Sequence, residues 1–164
     1  MNQPAKKKGL PTWAIVLIVI AAAAPVVLGI VSALAIYGVR KYMVEAKRAE
    51  AVSVLGQWSK GMVACGEKDG LPVTSPAVPA SLSAVAAKKY QSTASEWSDP
   101  AFACARFSLT EPQYFQYQWQ QLSASEGNLV ARADFDGDGT AEEHAEVHVT
   151  CQIGRCTASP AAKP

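Results

Sequence analysis

The first quarter of the chain contains a long, continuous apolar segment. Residues 10–38 carry no charged side chain over 29 positions and include the stretch WAIVLIVIAAAAPVVLGIVSALAIYG. At a helical rise of about 1.5 Å per residue, this segment is longer than the roughly 30 Å hydrocarbon core of a bilayer. The pattern therefore predicts a transmembrane helix over residues 10–38, preceded by a basic N-terminal segment over residues 1–9.

Two other interpretations of the apolar segment remain open. One is a helix buried in a soluble core, although such helices rarely exceed about 20 residues without a polar face. The stronger alternative is a cleaved secretory signal, since Lys6–Lys8 form a basic segment and Ala33–Ala35 match an A-x-A cleavage site. The apolar run before that site is longer than the roughly 7 to 15 residues usual for such a signal, which favours an uncleaved anchor.

An amphipathic helix follows over residues 39–66, with no proline or turn cluster at the junction. Its apolar residues recur at helical spacing and form one stripe: Val44, Ala51, Leu55, Trp58, Met62 and Cys65. The following polar residues fall largely off the stripe and are expected to face solvent: Lys47, Arg48, Glu50, Gln57 and Lys60. Gly66 and Gly70 in CGEKDG are typical stop residues, and the stripe predicts packing onto a sheet.

The pattern changes again beyond residue 66. Residues 67–100 are rich in Pro, Ser and Ala and have no long period, which predicts a loop region. Within residues 101–156, apolar and polar residues alternate in four segments that we predict to be strands: AFACARFSL, YFQYQWQ, NLVARADF and AEVHVTCQI. The predicted fold is therefore α+β, with the preceding helix packed on a four-stranded antiparallel sheet and a disordered tail over residues 157–164.

Charge and cysteine content indicate the compartment of the C-terminal part. The residues after Gly38 hold all 14 acidic and 12 of the 15 basic residues, which gives them a formal net charge of −2. This balance predicts no strong polyanion-binding surface, and nucleic acid is not an expected partner. Basic residues flank both ends of the apolar segment, so charge alone does not fix its orientation. The four cysteines fit an oxidising compartment and favour a cytoplasmic N-terminus.

Two disulfide bonds are expected in this layout. Cys65 lies at the end of the amphipathic helix, and Cys104 lies on the first predicted strand. Cys151 and Cys156 flank the short segment CQIGRC. Four cysteines allow three pairings, and proximity favours Cys65 with Cys104 and Cys151 with Cys156.

The segment DFDGDGTAEE carries the motif that suggests ion binding. Its aspartates alternate and are followed by Gly139, which matches the start of an EF-hand calcium loop. The candidate calcium ligands are Asp134, Asp136, Asp138, Thr140 and Glu142. Position twelve of the loop is Ala145, which lacks the carboxylate of a complete motif. Calcium is the expected ion, and the alternative is an acidic β-turn without a metal.

The sequence gives no support for catalysis. It contains no Ser-His-Asp order, no Gly-rich phosphate loop and no HExxH motif, and the cysteines lack the C-x-x-C pair of a zinc site. His144 and His148 share one face of a predicted strand, about 13 Å apart, which is too far to share a metal. We therefore expect a protein that is not an enzyme.

The segment AIYGVRKYMVEAKRAEAVSVLGQ resembles the part of type IV pilins and type II secretion pseudopilins where an apolar half-helix gives way to a soluble half. The segments WSDPAFACARFS, EPQYFQYQWQ and ADFDGDG are similar to the globular part of pilin-like proteins from proteobacteria. The resemblance covers the chain from Leu10 to Cys156. It implies a helix that first anchors the subunit in the bacterial inner membrane and later packs in a filament core.

The N-terminal leader departs from the family pattern. Family prepilins carry a basic leader that ends in Gly, usually followed by Phe, with Glu as the fifth mature residue. Here Gly9 and Leu10 occupy the candidate cleavage position, and Ala14 stands where the family has Glu. In pilins that carboxylate is thought to pair with the amino terminus of a neighbouring subunit. Its absence implies weaker register in a filament and fits a minor pilin better than a major subunit.

The resemblance implies a single-pass subunit of a type IV pilus or a type II secretion pseudopilus. The expected partners are the membrane, other pilin-like subunits and the assembly proteins of the pilus or secretion machine. The C-terminal domain is expected in the periplasm or on the pilus outside the cell. One alternative is a membrane-tethered envelope domain that binds a partner without polymerising. Another is a secreted hydrolase released by cleavage after Ala35.

Overall fold

The computed structural model describes residues 11–141 and 143–161, with backbone alone for Arg40 and Glu143. The candidate leader position at Gly9 and Leu10 and the last three residues lie outside these ranges. The chain divides into two compact units, Met1–Val44 and Glu45–Pro164. Its fold class is α+β, with a long N-terminal helix and a four-stranded antiparallel sheet.

The first helix, α1, runs without interruption over Thr12–Asp69 and contains 58 residues. It contains the predicted transmembrane segment from Thr12 onward and the whole of the predicted amphipathic segment. By length and composition, α1 could cross a membrane. It ends three residues after the predicted boundary, where Gly70 adopts a left-handed φ of 82° and donates its N–H to the Gly66 carbonyl at 3.2 Å.

The predicted apolar stripe of α1 enters the core of the second unit. Every stripe residue from Ala51 onward is buried, and Val44 is half-buried. The buried stripe residues, from Ala51 onward, share one core cluster with the inward side chains of the sheet: Tyr117, Trp119, Leu129, Ala131, Val147 and Val149. The packing of the helix side chains with the sheet side chains therefore follows from their two periodicities.

The sheet is an antiparallel meander in the order β1-β2-β3-β4. Its strands are β1 Gln116–Ser123, β2 Glu126–Ala133, β3 Glu143–Gln152 and β4 Arg155–Ala158. Trp119 pairs with Leu129, which pairs with Val147, so the core residues of three strands stand side by side. The alternation read from the sequence of these strands thus gives the correct inward face.

The first predicted strand, AFACARFSL, is wrong. Its first half is a short helix, α2, over Pro100–Cys104. The Asp99 side chain accepts the N–H of Ala101 at 2.9 Å, and proline stands at the start of the helix, where its missing N–H costs nothing. An N-cap and a favourable proline therefore outweigh the alternating pattern of the segment.

The fourth strand lies at the opposite end of the predicted sheet region. The turn Ile153–Gly154 separates β3 from β4, and Cys151 pairs with Cys156 across it. β4 includes two residues of the predicted disordered tail, and the next residue, Ser159, donates its N–H to the His148 carbonyl at 2.8 Å. A strand of four residues is too short to show an alternating pattern, so the sequence did not predict β4.

The edges of the sheet are covered by other parts of the chain. Val78 exchanges two backbone hydrogen bonds with Tyr117 of β1, both at 2.8 Å. At the other edge, the Glu67 carboxylate of α1 accepts the N–H of Cys156 at 3.2 Å. The predicted loop region also contains two short 3₁₀ helices, Leu82–Ala84 and Ala94–Trp97. Much of it therefore has ordered hydrogen bonding.

Candidate functional site

The acidic loop connects β2 to β3 and is folded around its own carboxylates. Asp134 is fully buried, and its carboxylate accepts the N–H groups of Gly137 at 2.6 Å and Gly139 at 3.0 Å. Asp136 and Asp138 are exposed, and each accepts the N–H of the residue two positions later, at 3.0 and 2.7 Å. Both glycines have positive φ, which lets the chain turn tightly round the aspartates.

The three aspartates are the one group in the described ranges that could hold a metal ion. Their oxygen atoms lie within 4.8 Å of one another. That separation is close to twice the calcium–oxygen distance of about 2.3 to 2.6 Å, so one calcium ion could contact all three. Thr140 lies in the same loop and donates its N–H to Asp138. Glu142 lies outside the described residues.

Both disulfide bonds lie near the C-terminal end of α1. Cys65 is bonded to Cys104 with a Cα–Cα distance of 5.4 Å, and Cys151 is bonded to Cys156 with a Cα–Cα distance of 4.0 Å. These are the pairs expected from the sequence, although Cys104 lies in α2 and not on a strand. A Cβ atom on Gly66 would lie 2.8 and 2.9 Å from the sulfurs of the second bond, so α1 passes directly beside it.

The two histidines have separate partners. His144 Nε2 lies 3.1 Å from a carboxylate oxygen of Glu146 on the same strand. His148 Nδ1 lies 2.6 Å from the amide oxygen of Asn128 on β2. His144 thus makes a contact within its own strand, and His148 makes a contact to the neighbouring strand. The two imidazole rings therefore have different partners.

Three residues of α1 that were expected to face solvent are half-buried, which corrects that prediction: Lys47, Arg48 and Glu50. Glu50 has the most informative surroundings of the three. It is half-buried, and its carboxylate accepts the Tyr114 N–H at 2.8 Å and the Tyr117 hydroxyl at 3.5 Å. Burial raises the pKa of Glu50, against the opposing effects of the Tyr114 N–H, Lys89 and Tyr117. Burial, and to a smaller extent the Glu50 carboxylate, raises the pKa of Tyr117. Glu50 thus links α1 to the segment entering β1.

The first unit exposes most of its large apolar side chains. The most apolar 18-residue window of α1 has none of its residues buried within the structure. Trp13 is 67% exposed near one end, and Tyr37 and Tyr42 are 69% and 75% exposed near the other. Nothing in the described part of the chain covers this surface, which is of the kind that requires an apolar environment.

A groove of about 440 Å³ opens beside α2 in the second unit. Trp97, Phe102 and Phe107 contribute to its lining, with ring centroids between 4.9 and 6.4 Å apart. Phe107 is half-buried and stacks on Trp58 of the core at 4.6 Å, whereas Trp97 and Phe102 are themselves buried, so the aromatic rings belong mostly to the core. Arg106 is the one ionisable residue among the described residues that line it.

No family model, no curated protein and no solved structure matched this chain.

Proposed function

We propose that this chain is a pilin-like subunit, of the minor type, of a type IV pilus or a type II secretion pseudopilus. The observation that carries the proposal is one uninterrupted helix, Thr12–Asp69. Its first part exposes apolar side chains, and its second part contributes to the core of the second unit, which we call the head. A subunit that is stored in a membrane and later transferred to a filament needs such a helix, because both environments cover its apolar half.

The aromatic residues of α1 support a membrane as the first of these environments. Trp13 and Tyr37 are 24 residues apart, which corresponds to about 36 Å along a helix. That length matches a hydrocarbon core of about 30 Å with its boundaries, where tryptophan and tyrosine are enriched. The two disulfide bonds of the head support a periplasmic location, because they persist in oxidising compartments.

The absent carboxylate in the apolar segment favours one alternative. Ala14 stands where family pilins carry the glutamate that pairs with a neighbouring subunit, and residues 10–38 contain no acidic residue. A membrane-tethered envelope domain that never polymerises would need no such pairing. This is the second candidate function.

Calcium in the acidic loop is a further part of the proposal. It is supported by the close approach of the Asp134, Asp136 and Asp138 oxygens. The ion would neutralise three neighbouring carboxylates and hold the turn between β2 and β3. The role that we propose for the ion is structural, because it would hold the turn between two strands of the sheet.

The N-terminus of the mature chain distinguishes the candidates. We would express the full chain in a proteobacterium that assembles type IV pili, and in the same strain without its prepilin peptidase, and map the N-terminal peptide by mass spectrometry. A pilin-like subunit should begin at Leu10 in the first strain only. The Gly9→Leu variant, which alters the residue before the cleaved bond, should remain uncut in both strains.

The other outcomes identify the alternatives. An uncut chain in both strains would favour the tethered envelope domain. Cleavage after Ala35 in both strains would indicate a secreted protein. A gain-of-function variant adds a filament readout: Ala14→Glu should increase the amount of the chain in sheared filaments, whereas Ala14→Gln, which adds length without charge, should not.

A further inference from the structure

One of the two disulfide bonds of the head lies beside an open groove. Cys65 of α1 and Cys104 of α2 both line this groove, which has a volume of about 270 Å³. Cys65 is only 3% exposed, whereas Cys104 is half-buried. Cys104 is therefore the more accessible of the two bonded cysteines.

The charged residues that line the groove are mostly cations. Lys68 follows Cys65 by three positions on α1, and Arg106 follows Cys104 by two positions. Asp69 is the one acidic residue among the described residues of the lining, and its carboxylate lies 3.4 Å from the Lys68 ammonium. Two cations and one anion leave an excess of positive charge near the disulfide bond.

Arg106 has a backbone conformation that favours glycine. Its φ is 51°, and it follows α2 in a pattern that ends many helices: its N–H donates to the Ala103 carbonyl at 3.1 Å, and the Phe107 N–H donates to the Phe102 carbonyl at 2.9 Å. Glycine is usual at this left-handed position because a Cβ atom strains it. Among the described residues, the Arg106 guanidinium has no ion-pair partner. Backbone strain of this kind is concentrated at functional sites.

The second disulfide bond has different surroundings. A Cβ atom on Gly66 would lie 2.8 and 2.9 Å from the sulfurs of Cys156 and Cys151, so the α1 backbone covers one side of this bond. The Glu67 carboxylate accepts the Cys156 N–H and places a negative charge nearby. Arg155, the residue before Cys156, offsets that charge. The second bond is therefore covered on one side and has no excess of cations beside it.

We propose that the Cys65–Cys104 bond is a thiol–disulfide exchange site for a dithiol protein. One thiolate of the dithiol attacks Cys104 Sγ, the bond between the two cysteines breaks, and its electron pair stays on Cys65 Sγ, which takes up a proton. The second thiol of the partner then displaces Cys104. The partner leaves as a disulfide, and the head gains two electrons and two protons as two thiols.

The cations of the groove favour this reaction, because the negative charge of the attacking thiolate is shared among three sulfurs in the transition state. The reduced form also has a hydrogen-bond acceptor, since the Gly70 carbonyl oxygen lies 3.7 Å from Cys65 Sγ. Other contacts hold α2 when the bond is open: Phe102 is fully buried, and Asp99 caps the helix. Exchange therefore opens a local link between α1 and α2 while the head stays folded.

The test reduces the folded full chain, in detergent at near-neutral pH, with the dithiol dithiothreitol. Samples are alkylated at intervals, and each cysteine is quantified by peptide mapping. Cys65 and Cys104 should become alkylated together, at least about tenfold faster than Cys151 and Cys156, with an unchanged far-ultraviolet circular dichroism spectrum. Equal rates, faster reduction of the second bond, or reduction only on unfolding would each overturn the proposal.

Two substitutions of Arg106 separate its charge from its place in the fold. Arg106→Gln and Arg106→Lys both keep a long side chain at the strained position, so their melting temperatures should match the wild type. Arg106→Gln should slow the reduction of Cys65–Cys104 about threefold, the scale of one exposed charge interaction, whereas Arg106→Lys should keep the wild-type rate. Lys60→Gln removes an exposed cation of α1 that does not line the groove, and it should change neither rate. An unchanged rate in Arg106→Gln would contradict the proposal.

The exchange site goes beyond the proposed function and requires neither a filament nor calcium, so the two proposals fail separately. A chain that is cut after Gly9, but whose two disulfide bonds are reduced at equal rates, would refute the exchange site alone. An uncut chain in which Cys65–Cys104 is reduced first would refute the pilus subunit and leave the exchange site standing.

Discussion

The Glu50 carboxylate is a polar group placed between α1 and the first strand, where water reaches it only in part. It satisfies the N–H of Tyr114 and approaches the Tyr117 hydroxyl. Lys89 is the cation whose charge acts on it. These hydrogen bonds link the helix to the sheet. They are opposed by the free energy needed to remove water from the ionised carboxylate.

The stability of the protein should therefore depend on the ionisation of Glu50. Because its pKa is raised in the folded state, that state binds the proton more tightly than the unfolded chain. The free energy of unfolding should fall as pH rises through the window between the ordinary glutamate pKa and the raised one. Glu50→Gln should remove this fall and raise the melting temperature at neutral pH. Thermal unfolding across pH checks this, with exposed Glu111→Gln as control; an unchanged pH profile in Glu50→Gln would contradict it.

The acidic loop gives a second prediction at the residue scale. With three carboxylates and no bidentate glutamate at position twelve, we expect weak calcium affinity, about 10⁻⁴ to 10⁻³ M. At a calcium concentration between about one and ten times the dissociation constant, binding would contribute roughly 0.4 to 1.4 kcal/mol. Thermal unfolding should therefore shift upward in calcium relative to chelator. Asp136→Asn with Asp138→Asn should abolish the shift, and Asp69→Asn should not. Identical wild-type curves would indicate an acidic turn without calcium.

At the scale of elements, α1 and α2 approach closely at one glycine. A Cβ atom added to Gly61 would lie 2.1 Å from the Ala105 carbonyl oxygen. That carbonyl follows Cys104, whose disulfide bond to α1 prevents the loop from moving away. Gly56, one and a half turns earlier, has no neighbour within 4 Å of an added Cβ. The two glycines of one helix therefore have opposite requirements.

Alanine substitution should reveal this difference. Gly61→Ala should lower the free energy of unfolding by about 1 to 3 kcal/mol or more, as overpacking does. Gly56→Ala should raise it by about 0.4 to 1 kcal/mol, because alanine is the better helix former. Chemical unfolding of the full chain in detergent measures both. Equal effects of the two substitutions would show that the helix and loop separate easily.

The elements also show which features a sequence can reveal. The stripe Ala51 to Cys65 and the alternation of β1 and β3 were correctly predicted, because each is a long periodic pattern with one buried face. AFACARFSL was misread because the cap at Asp99 and Pro100 decides its structure. β4 is too short for a period. The burial of Glu50 was not predictable, since its partner Tyr114 lies 64 residues away.

At the scale of the whole molecule, the two compact units have different solvent requirements. Large apolar residues of the first unit are exposed, whereas the second unit buries a core of its own. The spacing of Asp134, Asp136 and Asp138 in the sequence identified a loop whose carboxylate oxygens do lie together.

The chain after Gly38 should consequently fold as a soluble monomer, while the full chain should require detergent. Among the described residues, the buried members of its core all lie at or after Ala51, so the core does not depend on the apolar segment. Size-exclusion chromatography with light scattering measures the mass of each. A stable dimer of the isolated head would contradict the expected monomer.

The disulfide pairing also bears on how the protein is made. The first cysteine bonds to the second and the third to the fourth, so neither bond encloses or crosses the other. A chain that crosses the membrane with its N-terminal anchor leading would expose its thiols in the same order. An oxidase acting on thiols as they arrive would then form both native bonds directly. The yield of the head should depend on a thiol oxidase and be insensitive to loss of a disulfide isomerase.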